Sequence, residues 1–344
     1  MTLLTHGQPE PNIVVIGGGT GAYTALMGLK HHTRQLAAII SMADSGGSTG
    51  RLRDEFGHLP PGDVRKALVA LAPDDEASLI LRKLFEYRFD KGDGLSGHTF
   101  GNLFLTALTE ITGSMDMAIA ETSHILNIRG RVIPVTLTDT HLVAETVDGH
   151  IIRGETNIDV RTIHPELPLS RVYLEPAAEA HAEAVRAIEE ADIVVIGPGD
   201  LYSSLLPNLL VRGIPEAINR SKAAKIYVCN IMTKRGETDG YRASDFTRQI
   251  LQYLGSESSL DYVLANYHER LDASVLRRYA SDGSMPVSLD LTECYELVPE
   301  IRVKPLTKVG AYVRHDSHLL ADAVMEIFRQ HQTQQIAEKA AAQV

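Results

Sequence analysis

Tryptophan is absent from this 344-residue chain, and cysteine occurs only at Cys229 and Cys294. Two thiols give no paired framework, which excludes a disulfide-stapled fold and suits a reducing compartment. Cys229 lies in Lys225-Ile-Tyr-Val-Cys-Asn230, the pattern of a buried strand, where a thiol behaves as a small inert hydrophobe. Positive charge is in deficit: 33 Lys and Arg face 44 Asp and Glu, a net charge of −11. A duplex-binding protein needs a basic footprint and none is visible, so no nucleic acid partner is expected. No run of about 18 apolar residues exists, so no membrane insertion is expected. The polar stretch from Met1 to Pro11 lacks the character of a signal peptide. These features fit a soluble cytoplasmic protein. Several chemical signatures are missing as well. There is no G-x-x-x-x-G-K-[ST] phosphate loop, no H-E-x-x-H and no C-x-x-C pair, so a transition-metal site is not signalled.

What is present is a large core. Apolar residues make up 44% of the chain and charged residues 22%, ordinary values for a globular protein. After a loose tail over residues 1–11, Asn12-Ile-Val-Val-Ile16 is a continuous apolar run ending in glycines, as in a strand covered on both faces. A helix from Thr20 to His31 and a strand over Leu36-Ala-Ala-Ile-Ile-Ser-Met-Ala43 complete a β-α-β unit with a right-handed crossover. Helices are expected over Gly62 to Leu71, Ala77 to Phe89, His98 to Thr112 and Met115 to Leu126. Between residues 131 and 173 the period shortens to two, with Asp148-Gly149 as a hairpin turn, and a small antiparallel insertion is expected. The α/β pattern then resumes with a helix over Ala178 to Glu190 and strands at Asp192 to Ile196, Lys225 to Cys229 and Leu260 to Ala265. It ends in a helix over Asp316 to Gln330, and residues 331–344 read as a fraying tail. The expected fold is α/β: an open, mostly parallel sheet with helices on both faces, one domain over residues 12–330, plus a helical segment and the insertion. In such sheets ligands sit beyond the carboxyl ends of the strands.

Three glycine-rich turns occupy such positions. The first is Gly17-Gly18-Gly19-Thr20-Gly21, where close backbone approach and a helix N-terminus suit a phosphate. The second is Asp44-Ser-Gly46-Gly47-Ser48-Thr-Gly50-Arg51, with hydroxyls and a guanidinium for a further anion contact. Its Asp44 suits a ribose hydroxyl or a divalent metal. The third is Gly197-Pro198-Gly199-Asp200, followed by the polar groups Ser203, Ser204 and Asn208 in an apolar stretch. Asp63, in Pro60-Pro-Gly-Asp63, serves either as a helix-terminus charge or as a ligand carboxylate. His98 and Asn102, in Gly94-Leu-Ser-Gly-His98-Thr-Phe-Gly-Asn102, add candidate phosphate contacts. Gly46-Gly-Ser48-Thr-Gly50 matches the letters of a nucleophile elbow, but Asp44 and Ser45 precede it and no clear helix follows. Gly17-x-Gly19-x-x-Ala22 also satisfies the dinucleotide fingerprint, which keeps an NAD-dependent oxidoreductase as a distant alternative.

Taken in order, these motifs, with Gly236-Glu-Thr-Asp-Gly-Tyr241, resemble the gluconeogenesis-factor family from Asn12 to Gln330. That family is similar to the 2-phospho-L-lactate transferases. The resemblance implies a Rossmann-like domain in a cytoplasmic protein needed for cell shape during growth on gluconeogenic carbon sources. It implies binding of a UDP-sugar, notably UDP-N-acetylglucosamine, and a regulatory role with a protein partner that the sequence does not identify. A homo-oligomer is compatible with this. Tyr279 and Arg314 align with positions resembling the family's UDP-sugar contacts; an aromatic ring suits uracil and an arginine suits a diphosphate. The family often carries two adjacent aspartates where this chain has Asp44-Ser45. A metal held by that pair would lose a ligand here; a single carboxylate, with Asp44 and Asp63 as the candidates, together with diphosphate oxygens and several waters can still hold magnesium. If the protein is an enzyme, a phosphotransferase like the phospholactate enzymes is the alternative, with Asp44 and Asp63 as catalytic candidates.

Overall fold

The computed structural model describes residues 10–341 apart from 163, 256–259, 268–272 and 310–311. Most of the expected N-terminal tail lies outside the described residues. Twelve strands are present among them: β1 Ile13–Gly17, β2 Leu36–Ile40, β3 Arg131–Pro134, β4 His141–Thr146, β5 Ile151–Arg153, β6 Leu169–Glu175, β7 Ile193–Ile196, β8 Ala224–Val228, β9 Tyr262–Asn266, β10 Glu300–Lys304, β11 Thr307–Val309 and β12 Val313–His315. Seven form one sheet in the order β10-β9-β8-β7-β1-β2-β3, and every neighbouring pair in it is parallel. β1, β2, β7, β8 and β9 are buried along their whole length. Their content, rich in Val, Ile, Leu and Ala, is what a sheet covered on both faces requires.

From β1 the chain steps outward through β2 to β3; from β7 it steps the other way through β8, β9 and β10. The order therefore reverses between β1 and β7. That switch point opens a crevice at the strand carboxyl ends, because the crossovers on its two sides leave in opposite directions. Helices α1 Gly19–Leu29, α2 Gly47–Phe56, α3 Gly62–Leu71, α4 Glu76–Glu86, α5 Phe100–Thr112 and α6 Met115–Ile125 fill the first half. One continuous apolar core joins the sheet to α1, α3, α4, α5 and α6. No helix among the described residues is long and apolar enough to cross a membrane.

Three expectations need correction. Val132 to Val135 does not begin the insertion: β3 pairs parallel with β2 at the edge of the main sheet. Its three buried residues face helices rather than water, so an apolar edge strand passed for an alternating one. The antiparallel sheet of the insertion is β5-β4-β6 alone. It carries a short helix, α7 Glu155–Asp159. Secondly, a helix does follow the second glycine turn, since α2 starts at Gly47. Thirdly, the closing helix runs Ser317–Ala341. Residues 331–341 are helical where a frayed tail was expected; Gln, Ala, Glu and Lys are good helix formers even when exposed.

Candidate functional site

The first and third glycine turns meet at the switch point. Gly19, at φ +61°, opens α1. A Cβ on Gly21 would lie 2.0 Å from the carbonyl oxygen of Pro198, so only glycine lets the two backbones pack together. A Cβ on Gly18 would lie 2.6 Å from an Asp63 carboxylate oxygen. Asn208, fully buried, braces the arrangement by donating to the carbonyls of Gly17 (3.3 Å) and Ser204 (2.9 Å). Asn230 donates to the Gly199 carbonyl at 2.8 Å. The outcome is a cavity of about 400 Å³ lined by the backbone of residues 18–21 and 198–199.

Its second wall is acidic. Asp44 accepts from the Gly46 N–H at 2.9 Å. A Cβ on Gly62 would meet Asp44 at 2.3 Å and Thr49 at 2.4 Å, so α3 abuts the second turn through that glycine. Burial, then the like charge of Asp63, pushes the Asp44 carboxyl above the usual range. Asp63 pairs with Lys66 at 2.9 Å. The insertion adds Glu155 and Asp159 from α7. Burial and then Asp44 and Asp159 raise Glu155 to about 7. Ser45, where a second aspartate was missing, accepts from the Thr156 N–H at 3.1 Å and so ties the turn to α7.

A third group of carboxylates, from Asp159, Asp200 and Glu237, lies close enough to hold a metal ion. Here the Lys234 ammonium sits among them, 2.9 Å from Asp200, 3.0 Å from Glu237 and bonded to Asp159. Burial works against the Lys234 charge, but these carboxylates raise its pKa above the ordinary value. Burial pushes Glu237 up to about 8 against the opposing pull of Lys234. Tyr279 and Arg314 line the same cavity as the glycine turns. The Tyr279 hydroxyl accepts from the Val313 N–H at 2.9 Å, and the Arg314 guanidinium lies 5.6 Å from the Tyr312 ring centroid.

Of the residues singled out from sequence, Gly18, Gly19, Thr20, Gly21, Asp44, Asp63, Pro198, Gly199, Ser204, Tyr279 and Arg314 line this one cavity. Gly46, Gly47, Ser48, Arg51, His98, Asn102, Gly197, Ser203 and Asn208 do not. Several of these support it from behind. Buried Ser48 bonds His98 Nδ1 at 3.0 Å and accepts from Asn102 at 3.1 Å. A serine held inside a helix turn in this way is no exposed elbow nucleophile. Arg51 instead donates to the Ser96 carbonyl at 2.9 Å, and Ser203 donates to Asp159 at 3.1 Å. Sequence reasoning missed Lys66, Glu155, Asp159, Asp200 and Asn230, which also line the cavity. Asp200 and Asn230 follow strand ends and were findable there; Glu155 and Asp159 arrive from the insertion by tertiary packing alone.

A family model described as 2-phospho-L-lactate transferase CofD matches residues 13–307. The chain is 46% identical over 332 residues to a putative gluconeogenesis factor of Nostoc sp., covering 94% of this chain and 70% of that protein. It is 39% identical to the gluconeogenesis factor of Bacillus subtilis, covering 93% and 99%. Among solved structures, protein BH3568 from Bacillus halodurans is similar with a TM-score of 0.85 and 40% identity, covering 92% of this chain and all of that one. With identity this high over nearly its whole length, the chain belongs to the gluconeogenesis-factor family and is distantly related to the 2-phospho-L-lactate transferase model.

Proposed function

We propose that this protein is a regulator that binds a UDP-sugar, UDP-N-acetylglucosamine, at the switch-point cavity and supports cell shape during growth on gluconeogenic carbon sources. The observation that carries the reading is the meeting of the glycine turns at 18–21 and 198–199 with Tyr279 and Arg314 across one cavity. Free N–H groups at the start of α1 suit the diphosphate, and the helix dipole favours its charge. Arg314 adds a guanidinium whose planar fork suits a diphosphate, and Tyr279 offers a ring for the uracil. Membership in a family whose relatives are called gluconeogenesis factors supports the physiological half of the proposal.

The acidic wall would repel a bare diphosphate. A magnesium ion fits it: Asp44 and Asp63 are hard oxygen donors, and crowding of like charge at Asp44 is relieved by a cation. Bound there, the ion would neutralise diphosphate oxygens. Glu155, beside the Ser45 backbone, brings a carboxylate near the position where the second aspartate is lacking.

Titration calorimetry tests the reading. We expect micromolar affinity for UDP-N-acetylglucosamine in the presence of magnesium, weakened about tenfold or more in Arg314→Ala and Tyr279→Ala. Equal affinity in all three proteins would remove the site assignment, and no binding to the wild type would remove the ligand. The match to the transferase model favours a second reading, transfer of the phospholactyl group from a guanosine-diphosphate-activated phospholactate to an alcohol, with the diphosphate bond broken and guanosine monophosphate leaving. Product detected by mass spectrometry after incubation with a deazaflavin alcohol and the activated phospholactate would establish it; unchanged substrates would leave the binder.

A further inference from the structure

Helix α4, Glu76–Glu86, carries more apolar surface than its packing uses. Its start is fixed, because Asp75 accepts from the Ser78 N–H at 2.8 Å, so the direction of each side chain is set. Leu81 and Phe85 face the core. Phe85 is buried and meets the Phe100 and Phe104 rings edge-on, with centroids 5.9 and 5.0 Å away. Arg82, beside them, pairs with Asp74 at 2.6 Å. Four further apolar side chains point the other way. Ile80 and Tyr87, two turns apart, mark the middle of the outer face, with Leu79 and Leu84 flanking it. Ile80 is 67% exposed, Tyr87 51%, Leu79 46% and Leu84 40%.

A surface helix normally turns polar residues to water, and a helix apolar nearly all round is normally covered all round. These four side chains leave on the order of 400 Å² of apolar surface exposed, the size at which such patches mark interaction sites. Charge indicates what covers them. Residues 75–88 hold three acidic groups, Asp75, Glu76 and Glu86, and three basic ones, Arg82, Lys83 and Arg88, in a chain whose net charge is −11. A second copy is repelled by most of this acidic surface but not by this neutral stretch. The order of charge matters too. Glu76 opens the helix and Arg88 follows its end. An antiparallel copy reverses that order, so each Glu76 meets the Arg88 of the other. Arg88 Nη1 donates to the Gly97 carbonyl at 2.6 Å, which steadies the guanidinium for that contact.

We propose that α4 is the contact between two copies of this chain, packed antiparallel about a two-fold axis near residue 82. Ile80 and Leu84 of one copy then lie against the same two residues of the other, so that one patch is its own complement. With the polar groups around it, the apolar stripe approaches the roughly 800 Å² per partner of a stable interface. The inference does not rest on the ligand read for the switch-point cavity.

Sedimentation equilibrium of the full chain tests it, with each variant checked for native circular dichroism. Wild type should have twice the 37.6 kDa chain mass at about 20 μM. Ile80→Glu and Leu84→Glu, which leave the Phe85 contacts untouched, should be monomers. Glu76→Arg should weaken association at least about tenfold, because like charges then meet at both ends. Adding Arg88→Glu to it should restore the dimer. Ile336→Glu, at a 69% exposed position on the closing helix, should stay dimeric. Should Ile80→Glu fail to fold, Leu84→Glu and the charge exchange carry the test. A wild-type monomer overturns the proposal, including one whose α4 exchanges hydrogen faster once residues 1–9 are deleted, which would assign the stripe to that segment. A dimer that survives both Ile80→Glu and Leu84→Glu overturns it by moving the contact elsewhere.

Discussion

Single atoms decide whether the switch-point cavity exists. Gly21 has no alternative, because a Cβ there would lie 2.0 Å from Pro198 O and 2.8 Å from Gly199 N. Both neighbours are backbone and cannot rotate away. Gly21→Ala is therefore expected to lower stability by about 1–3 kcal/mol and to weaken ligand binding, read by urea unfolding and calorimetry. Glu237 makes a different prediction. With a folded pKa of about 8 against an ordinary 4.5, the folded protein holds a proton that the unfolded chain has released. The contribution is complete below the ordinary carboxylate range and is lost as pH rises through about 8. Wild-type stability should thus fall across this window by up to about 1.4 kcal/mol per pH unit, and Glu237→Gln should show a flatter profile by chemical denaturation. A slope unchanged in the variant would mean that Lys234 keeps Glu237 ionised throughout.

Between elements, one buried amide holds the second turn in place. Asn102 on α5 donates to Ser48 on α2 and accepts from Arg65 Nε on α3 at 2.9 Å. The neighbouring Thr49 hydroxyl supports Asp44. Removing this amide leaves a buried guanidinium nitrogen and a serine hydroxyl short of partners. Asn102→Ala should cost about 1–3 kcal/mol in thermal or urea unfolding and should weaken ligand binding although Asn102 is outside the cavity. Such positioning was not legible beforehand. The turn at 46–50 holds three glycines and little apolar surface, so its periodicity says loop. It becomes a helix because Ser48 and Thr49 are buried against α5 and Asn102 bonds both hydroxyls. The edge strand β3 was misread for a related reason: a short apolar run does not reveal which sheet it joins.

Across the whole molecule, the two walls of the cavity differ in how firmly they are built. The glycine turns grow from the main core. The opposite wall, helix Ala273–Ser281 with the β11–β12 hairpin, rests on a separate cluster of Ile231, Val275 and Val313. Three buried apolar side chains stabilise a segment far less than the continuous core does, so this wall should open locally well below the global unfolding free energy. Hydrogen-exchange mass spectrometry should show faster exchange at residues 273–281 and 313–315 than in β1 or β7. Saturating UDP-N-acetylglucosamine should slow that exchange, because Tyr279 and Arg314 would then be tied to the ligand. Equal exchange with and without ligand would separate this wall from binding.

The sequence alone determined five of the seven sheet strands and the glycine turns that follow three of them, because continuous apolar runs and glycine-rich turns are local properties written residue by residue. It also determined the family likeness, carried by those same turns in order. Only the tertiary structure decided which turns face one cavity, that Glu155 and Asp159 enter it from the insertion, and that Lys234 sits among three carboxylates. These depend on strand order and on contacts between residues far apart in the chain, such as the 44-residue separation of Ser203 and Asp159. Period and composition do not encode such contacts, because packing free energy is shared among elements and belongs to no single segment.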